Sequence, residues 1–314
     1  MSGVNFGRSV FKGAISAALA LAGFAAAAAA ALANEPVVLS PSSQWHLDYA
    51  EDRCKLLRFF GEGDDKSVIL LEQLSPSSHF ELTIAGRPFR TMRDRQEISV
   101  QMGPGHPAFE RSFQRGSFAS YKPALIFGGL SPLHPYAVAG DDPEMDEIAA
   151  AEKALHPSDV LVPADGAKID WIELRQRKQV IRLQTGNLEN AFKAMNTCTD
   201  NLLKSWGVDA EAFASVTQKA EWTNLQDVAE RIQRRYPSRA LNRGNQANFR
   251  MRLFIDETGR VTDCKLLELT EGENFDNTPC AIMVEHARFQ PARGVDGSAV
   301  KSYDMVTVRY VMGS

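Results

Sequence analysis

The stretch DETGRVTDCKLLELTEGENFDNTPC, residues 256–280, decides the fold of the C-terminal part of this chain. It begins with a glycine-bearing turn and continues with alternating polar and apolar residues. The preceding segment ANFRMRLFID, residues 247–256, alternates in the same way, so the two segments predict a β-hairpin. The next segment NTPCAIMVEHARF, residues 277–289, predicts a helix with Pro279 in its first turn. YDMVTVRYVM, residues 303–312, predicts a third strand, which gives the order β-β-α-β.

The region upstream of this unit is rich in strand-like segments. Residues 36–103 contain several short runs of branched or alternating apolar residues that end at Gly or Pro. Residues 131–166 are rich in Pro, Asp and Ala and predict a long surface excursion. Further along, LENAFKAMNTCTDNLLKSWGVD, residues 188–209, predicts a helix that ends at Gly207.

These patterns predict an α+β fold with two domains. The N-terminal domain is β-rich with a C-terminal helix, and the C-terminal domain is a small β-β-α-β unit with an antiparallel sheet. The predicted division is a signal peptide at 1–33, the N-terminal α+β domain at 36–215, a helical linker at 216–230 and the C-terminal domain at 231–314.

The overall composition agrees with a folded protein of about two domains. The chain has 314 residues, of which 44% are hydrophobic and 24% are charged. Its formal net charge of −4 gives no basic field of the kind that binds nucleic acid, so no nucleic-acid partner is expected. The tryptophans Trp45, Trp171 and Trp206 are predicted to belong to the core.

The N-terminal segment has the organisation of a secretory signal peptide. Arg8 and Lys12 precede a long apolar run, which ends at Ala31-Leu32-Ala33. This order predicts export and cleavage after Ala33, which would place the mature protein in the periplasm with no membrane span. The alternative is an uncleaved anchor, because residues 14–33 are about long enough to cross a bilayer.

Export changes the interpretation of the four cysteines, Cys54, Cys198, Cys264 and Cys280. An even number of cysteines in an oxidising compartment favours disulfides. None of them forms a CxxC motif and no His stands beside them at ligand spacing, so no metal site is predicted. Three pairings are possible, and the domain layout favours Cys54–Cys198 and Cys264–Cys280.

No enzymatic motif is present. The sequence lacks HExxH, GxSxG, SxxK and phosphate-binding loop patterns, so neither a catalytic residue nor a cofactor is predicted. The run ELRQRKQVIR, residues 173–182, carries Arg175, Arg177, Lys178 and Arg182. It is interpreted as a solvated strand face. The alternative is a binding site for an anionic ligand of the envelope.

The C-terminal unit resembles the TonB C-terminal domain family over about residues 230–313. The resemblance rests on Tyr236-Pro237, the turn DETGRV at 256–261, the segment LTEGENFD at 269–276 and the segment ARFQPARGVDGSAV at 287–300. Within the segment at 269–276, this chain has Thr270-Glu271-Gly272 where the family pattern has Ser-Ser-Gly. It has Phe275-Asp276 where the pattern has Leu-Asp. Gly259 is expected to form the hairpin turn, Phe289 to anchor the helix end to the sheet, and Pro291 to stop the helix.

The resemblance implies protein binding. Domains of this family add an extended segment of an outer-membrane receptor or another envelope protein to an exposed sheet edge. The candidate edge is the last strand, where alternation places Met305, Thr307 and Arg309 on one face, and these three are the candidate binding residues.

Two alternatives follow from the departures from the family. A membrane-anchored energy transducer would need a retained N-terminal helix, and it usually has a Pro-rich spacer where this chain has a folded domain. In the second alternative, the first domain is a ligand-binding or enzymatic domain, and the TonB-like unit is the module through which it docks to another protein.

Overall fold

The computed structural model describes residues 35–94, 96–131, 160–245, 247–270 and 274–310. The predicted signal peptide and most of the predicted surface excursion lie outside the described residues. Within them the protein has the predicted α+β fold, with mostly antiparallel sheets.

The first domain contains eleven strands in the described residues. They are β1 (Val37–Leu39), β2 (His46–Tyr49), β3 (Cys54–Phe60), β4 (Ser67–Gln73), β5 (Phe80–Gly86), β6 (Ile98–Met102), β7 (Phe109–Arg111), β8 (Gln114–Phe118), β9 (Tyr121–Leu130), β10 (Ile172–Gln176) and β11 (Gln179–Leu183). Two sheets result, one with the order β1-β11-β10-β6-β7 and one with the order β2-β3-β4-β5-β9-β8. Neighbouring strands are antiparallel except β1 and β11, which run parallel.

The two sheets of the first domain share one core. Leu56, Ile69 and Leu82 from the six-stranded sheet lie in the same buried cluster as Val100 and Leu174 from the five-stranded sheet. Because side chains alternate across a strand, each sheet turns one face to this cluster. The domain is therefore a β-sandwich whose core lies between the sheets.

The described part of the first domain contains three α-helices: α1 (Pro163–Gly166), which precedes β10, and α2 (Glu189–Ser205) and α3 (Ala210–Ala214), which follow β11. The long helix α2 is the predicted one, and its residues Phe192 and Met195 are buried in the sandwich core. Gly207 follows it with φ +70°, a backbone conformation that glycine adopts at little cost. A disulfide between Cys198 of α2 and Cys54 of β3 fastens the helix to the sheet.

The C-terminal domain contains the predicted β-β-α-β order with additional short elements. Its helices are α4 (Leu225–Arg234), α5 (Ser238–Arg243) and α6 (Thr278–His286). Its strands are β12 (Glu221–Trp222), β13 (Ala247–Ile255), β14 (Val261–Thr270), β15 (Phe289–Gln290), β16 (Ala292–Arg293), β17 (Ala299–Val300) and β18 (Ser302–Tyr310). The main sheet has the order β14-β13-β18.

Helix α6 covers one face of this sheet. Its residues Ile282 and Met283 are buried in one cluster with Phe249 and Leu253 of the central strand β13. A disulfide between Cys264 of β14 and Cys280 of α6 joins the helix to the sheet. Both disulfides that the domain layout favoured are therefore present.

The structure differs from the predicted helical linker at residues 216–230. Strand β12 pairs with β15, and Trp222 stacks on Phe289 with the ring centroids 5.5 Å apart. Helix α4 contacts α6, and its residues Val228 and Ile232 are buried in the C-terminal core. The polar surface of this segment suggested a linker, but its few apolar residues integrate it into the C-terminal domain.

The hairpin turn depends on Gly259. Its φ is +79°, and a Cβ atom at this position would stand 1.8 Å from the carbonyl oxygen of Phe289. The Phe289 N–H donates to the Gly259 carbonyl oxygen at 2.8 Å, so the turn and β15 are in direct contact. Pro291 does not stop the helix as expected, because α6 already ends at His286 and the chain is extended from Ala287 onwards.

The two disulfides should contribute unequally to stability. On the loop-entropy model, a bond across 144 residues stabilises by about 5 kcal/mol, and one across 16 residues by about 3 kcal/mol. We expect the Cys54→Ala/Cys198→Ala variant to lose more unfolding free energy than Cys264→Ala/Cys280→Ala, as measured by urea denaturation. Equal losses would contradict the loop-length explanation.

Candidate functional site

The three-stranded sheet of the C-terminal domain has two edges, formed by β14 and β18. An edge strand carries N–H and C=O groups that the sheet itself does not pair, and these groups can accept a further strand. The two edges differ in what surrounds them.

The first domain covers the β14 edge. The guanidinium Nη2 of Arg53, just before β3, donates to the carbonyl oxygen of Leu267 at 3.0 Å. Two residues away on β14, Lys265 Nζ lies 3.0 Å from the carboxylate of Glu51. A strand that approached β14 here would meet the Arg53 side chain at the Leu267 carbonyl oxygen, while the Lys265–Glu51 pair lies on the sheet face that meets the first domain.

One hydrogen bond shows which backbone groups of β18 point away from the sheet. In an antiparallel sheet, the backbone groups of successive residues point alternately toward and away from the partner strand. The Met305 N–H donates to the carboxylate Oδ1 of Asp304 at 2.9 Å, so it points away from β13. By the same alternation, Tyr303, Thr307 and Arg309 also turn their backbone groups outward.

The Asp304 carboxylate therefore occupies part of this edge. The same arrangement recurs on β14, where the Cys264 N–H donates to Asp263 Oδ1 at 2.8 Å. Charged side chains on edge strands are a common means by which proteins limit unwanted pairing. Thr307 and Arg309 lie further along β18 and their side chains are exposed.

The side chains of β18 divide between the two faces of the sheet. Val306 and Tyr310 are buried on the α6 side, and the Tyr310 hydroxyl donates to the Ile232 carbonyl oxygen at 3.2 Å. Burial raises the pKa of Tyr310 to about 12. Met305, Thr307 and Arg309 are on the opposite face, with Met305 half-buried. The structure thus brings the three predicted residues together on one face and on the outward-pointing positions of the edge.

The opposite face of the sheet carries a buried arginine, Arg252 of β13. Its side chain is fully buried, and its guanidinium carbon lies 3.5 Å from the ring centroid of Trp206, which follows α2. Its Nη2 donates to the carbonyl oxygens of Leu74 and Asp52, and the second distance is 3.1 Å. All three partners belong to the first domain, so Arg252 joins the two domains.

The charge of Arg252 is only partly compensated. Burial lowers the pKa of Arg252 to about 10, which still leaves the guanidinium cationic at neutral pH. Its Nε and Nη1 atoms have no hydrogen-bond partner among the described residues. The stacking on Trp206 and the two carbonyl contacts must therefore offset most of the cost of removing the cation from water.

Aromatic residues surround this contact. Tyr303 of β18 stacks on Phe213 of α3 at 4.9 Å and meets the edge of Trp206 at 5.6 Å, measured between ring centroids. Burial of its hydroxyl raises the pKa of Tyr303 to about 12. Phe254 of β13 also packs against Trp206, at 5.9 Å. We call Arg252, Trp206, Tyr303 and Phe213 the interdomain cluster.

Sequence reasoning identified part of this site. The alternation of β18 indicated Met305, Thr307 and Arg309, and Trp206 was assigned to the core. Arg252, Arg53 and Asp304 were missed. Arg252 carries only the signal of a polar residue in an alternating strand, and Arg53 that of a polar residue just before a strand. Their partners are about 200 residues away in sequence.

Residues 232–312 match the family model of the Gram-negative bacterial TonB protein C-terminal. The C-terminal domain is therefore similar to TonB C-terminal domains. The match covers about a quarter of the 314 residues, so it concerns this domain and leaves the first domain unassigned. No curated protein matches the chain.

A TonB C-terminal domain indicates an envelope protein of a Gram-negative bacterium that interacts with other proteins, and the domain itself is not an enzyme. In the part of the chain that the structure describes, no helix is long and apolar enough to span a membrane. The same residues contain no group of three or more His, Cys, Asp or Glu placed to hold a metal ion.

The interdomain cluster makes the contribution of Arg252 measurable. Arg252→Ala removes the cation and leaves the carbonyl oxygens of Asp52 and Leu74 buried without their partner. We expect the free energy of unfolding to fall by about 3 kcal/mol. We also expect urea unfolding to change from one transition to two as the domains uncouple, when followed by tryptophan fluorescence and circular dichroism.

Arg250→Ala is the matched control. Arg250 lies two residues away on the same face and pairs with Glu81 of the first domain, but both side chains are about one-third exposed. An ion pair of this exposure contributes at most about 1 kcal/mol. If Arg252→Ala and Arg250→Ala had equal effects, Arg252 would not be the principal contact between the domains.

Proposed function

We propose that this protein binds another envelope protein in the periplasm by adding an extended segment of it to the outer edge of β18. The observation that carries the proposal is the difference between the two edges. Arg53 of the first domain binds the carbonyl oxygen of Leu267 on β14, whereas Thr307 and Arg309 are exposed on the β18 edge. The partner class suggested by the family match is an outer-membrane receptor or a similar envelope protein.

Strand addition suits the chemistry of this edge. Backbone groups at alternate positions of β18 supply the hydrogen bonds, and they recognise any extended segment. Specificity then depends on neighbouring side chains, here Met305, Thr307 and Arg309. In this proposal the first domain holds the sheet through Arg252, on the same face as Met305, Thr307 and Arg309, so the edge is presented in a fixed geometry.

A proline at position 307 tests the role of the backbone. Thr307→Pro removes an outward-pointing N–H, and proline is tolerated where an edge N–H faces solvent. In the native host, a photo-cross-linking residue at position 309 should yield an adduct with an outer-membrane protein. We expect Thr307→Pro to reduce that adduct about tenfold or more, since it removes a hydrogen bond and blocks close approach.

Two controls accompany this experiment. Thr307→Val changes the side chain but keeps the N–H, so the adduct should persist. The same cross-linking residue at the exposed Thr262 of β14 should give no adduct with that protein. Persistence of the position-309 adduct in Thr307→Pro would rule out strand addition at β18.

Asp304 should act as a barrier to pairing at this edge. Its carboxylate accepts the Met305 N–H, and an incoming strand must displace it. Asp304→Ala exposes that N–H, and we expect the position-309 adduct to increase about fivefold, corresponding to about 1 kcal/mol for one hydrogen bond. Sedimentation equilibrium of the purified variant should also show weak self-association.

Asp263→Ala is the control for Asp304→Ala. Asp263 makes the same bond to the next amide, but on β14, which the first domain covers. This variant should change neither the adduct nor the association state. Equal behaviour of the two variants would show that the carboxylate of Asp304 has no specific effect on the β18 edge.

A further inference from the structure

The first domain contains a basic cleft. It has a volume of about 210 Å³ and lies between the loop after Phe89 and the turn that joins β10 to β11. Three cationic side chains line it, those of Arg93, Arg177 and Lys178, together with four uncharged polar residues. Among the described residues, none of those that line it is acidic. A concave surface with this composition attracts anions.

A buried amide fixes the two walls of the cleft. Gln176, at the end of β10, is 7% exposed. Its Nε2 donates to the carbonyl oxygens of Arg93 at 2.9 Å and Gln96 at 3.0 Å, and its Oε1 accepts the Arg93 N–H at 2.8 Å. Arg93 is thereby held at a constant position relative to the hairpin, so the cleft does not depend on a ligand for its shape.

The turn on the other wall has an unfavourable residue in its first position. Gln176 pairs with Gln179, so Arg177 and Lys178 form a two-residue hairpin loop. Arg177 has φ +54°, in the left-handed region where glycine is favoured at such a position. A strained residue of this kind points to a functional reason for its side chain. Here the residue in that conformation is an arginine that lines the cleft.

The charges of the hairpin are distributed unevenly. Arg175 and Arg182 both pair with the buried carboxylate of Glu173, at 3.0 and 2.7 Å. Among the described residues, neither Arg93 nor Arg177 has a carboxylate partner. In a chain with a net charge of −4, these two guanidiniums therefore concentrate positive charge at one site.

We infer that this cleft binds a ligand with a phosphomonoester group. A phosphomonoester is close to a dianion at neutral pH and presents three oxygens. Guanidinium groups match such oxygens with paired N–H donors, and Lys178 adds a point charge. A carboxylate has one charge and two coplanar oxygens, so it would neutralise less of the charge of the two guanidiniums.

The cleft is separate from the β18 edge. Glu81, which contacts the C-terminal domain through Arg250, lies near the start of β5. The loop that forms the cleft begins just after the other end of β5, and Pro88 there accepts a hydrogen bond from Gln179 at 3.1 Å. Seven extended residues span about 20 Å. The inference is therefore independent of the proposed protein binding.

The test is binding of glycerol 3-phosphate to the full chain at low ionic strength, by isothermal titration calorimetry, with amide shifts followed by NMR. A parallel arm measures co-sedimentation with phosphatidylcholine vesicles that contain either phosphatidic acid, a phosphomonoester, or phosphatidylglycerol, a phosphodiester. We expect binding that Arg93→Gln/Arg177→Gln weakens at least tenfold. Arg239→Gln/Arg243→Gln, which removes the same charge from α5, should leave it unchanged.

Arg177→Gly separates binding from folding. Glycine relieves the left-handed conformation, so we expect a higher midpoint of thermal unfolding together with at least tenfold weaker binding. Binding of glycerol 3-phosphate indicates a soluble ligand, and binding of phosphatidic acid vesicles alone indicates a lipid headgroup. The inference is overturned by the absence of both, by equal binding to phosphatidylglycerol vesicles, or by equal weakening in the α5 double variant.

Discussion

The arrangement of this protein depends on one buried cation. Arg252 extends from the central strand of the C-terminal sheet into the first domain, where it lies against Trp206 and donates to two backbone carbonyls. The cost of burying a guanidinium is high, and it is offset only while the aromatic face and the carbonyl oxygens stay in place. The contact is therefore sensitive to the relative position of the domains. Arginine suits this role because its planar group stacks and donates at the same time.

The contact has consequences for the sheet that go beyond stability. Helix α6 covers one face of the sheet, and the interdomain cluster covers part of the other face. The same docking brings Arg53 to the carbonyl oxygen of Leu267, which closes the β14 edge. A domain that would otherwise present two equivalent edges thus becomes asymmetric. In an isolated three-stranded sheet either edge could pair with another chain, and the first domain removes one of these possibilities.

The sequence predicted the features that are determined within one segment and missed the contacts between segments that are distant in sequence. The turn at Gly259 is indicated by its glycine, and the alternation of β18 and the apolar stripe of α2 follow periods of two and 3.6 residues. In each case a single segment contains all the information. Arg252 also obeys the alternation, which places it opposite Phe249 and Met251. Alternation says that a residue is on the polar face, but it cannot say whether water or another domain covers that face. The same limit explains residues 216–230, whose polar composition conceals the pairing of β12 with β15.

The β18 edge and the basic cleft rely on different physical interactions. In the proposed strand addition, recognition at β18 would use backbone hydrogen bonds, which carry no net charge and depend little on salt. In the inferred phosphomonoester site, recognition would use the cationic side chains of the cleft, and such interactions weaken as ionic strength screens them. Because the sites lie toward opposite ends of β5 and differ in this way, a ligand at one has no direct means to compete with a ligand at the other. The first domain can then act both as a support for the sheet and as a separate point of attachment, with each interaction responding to its own conditions.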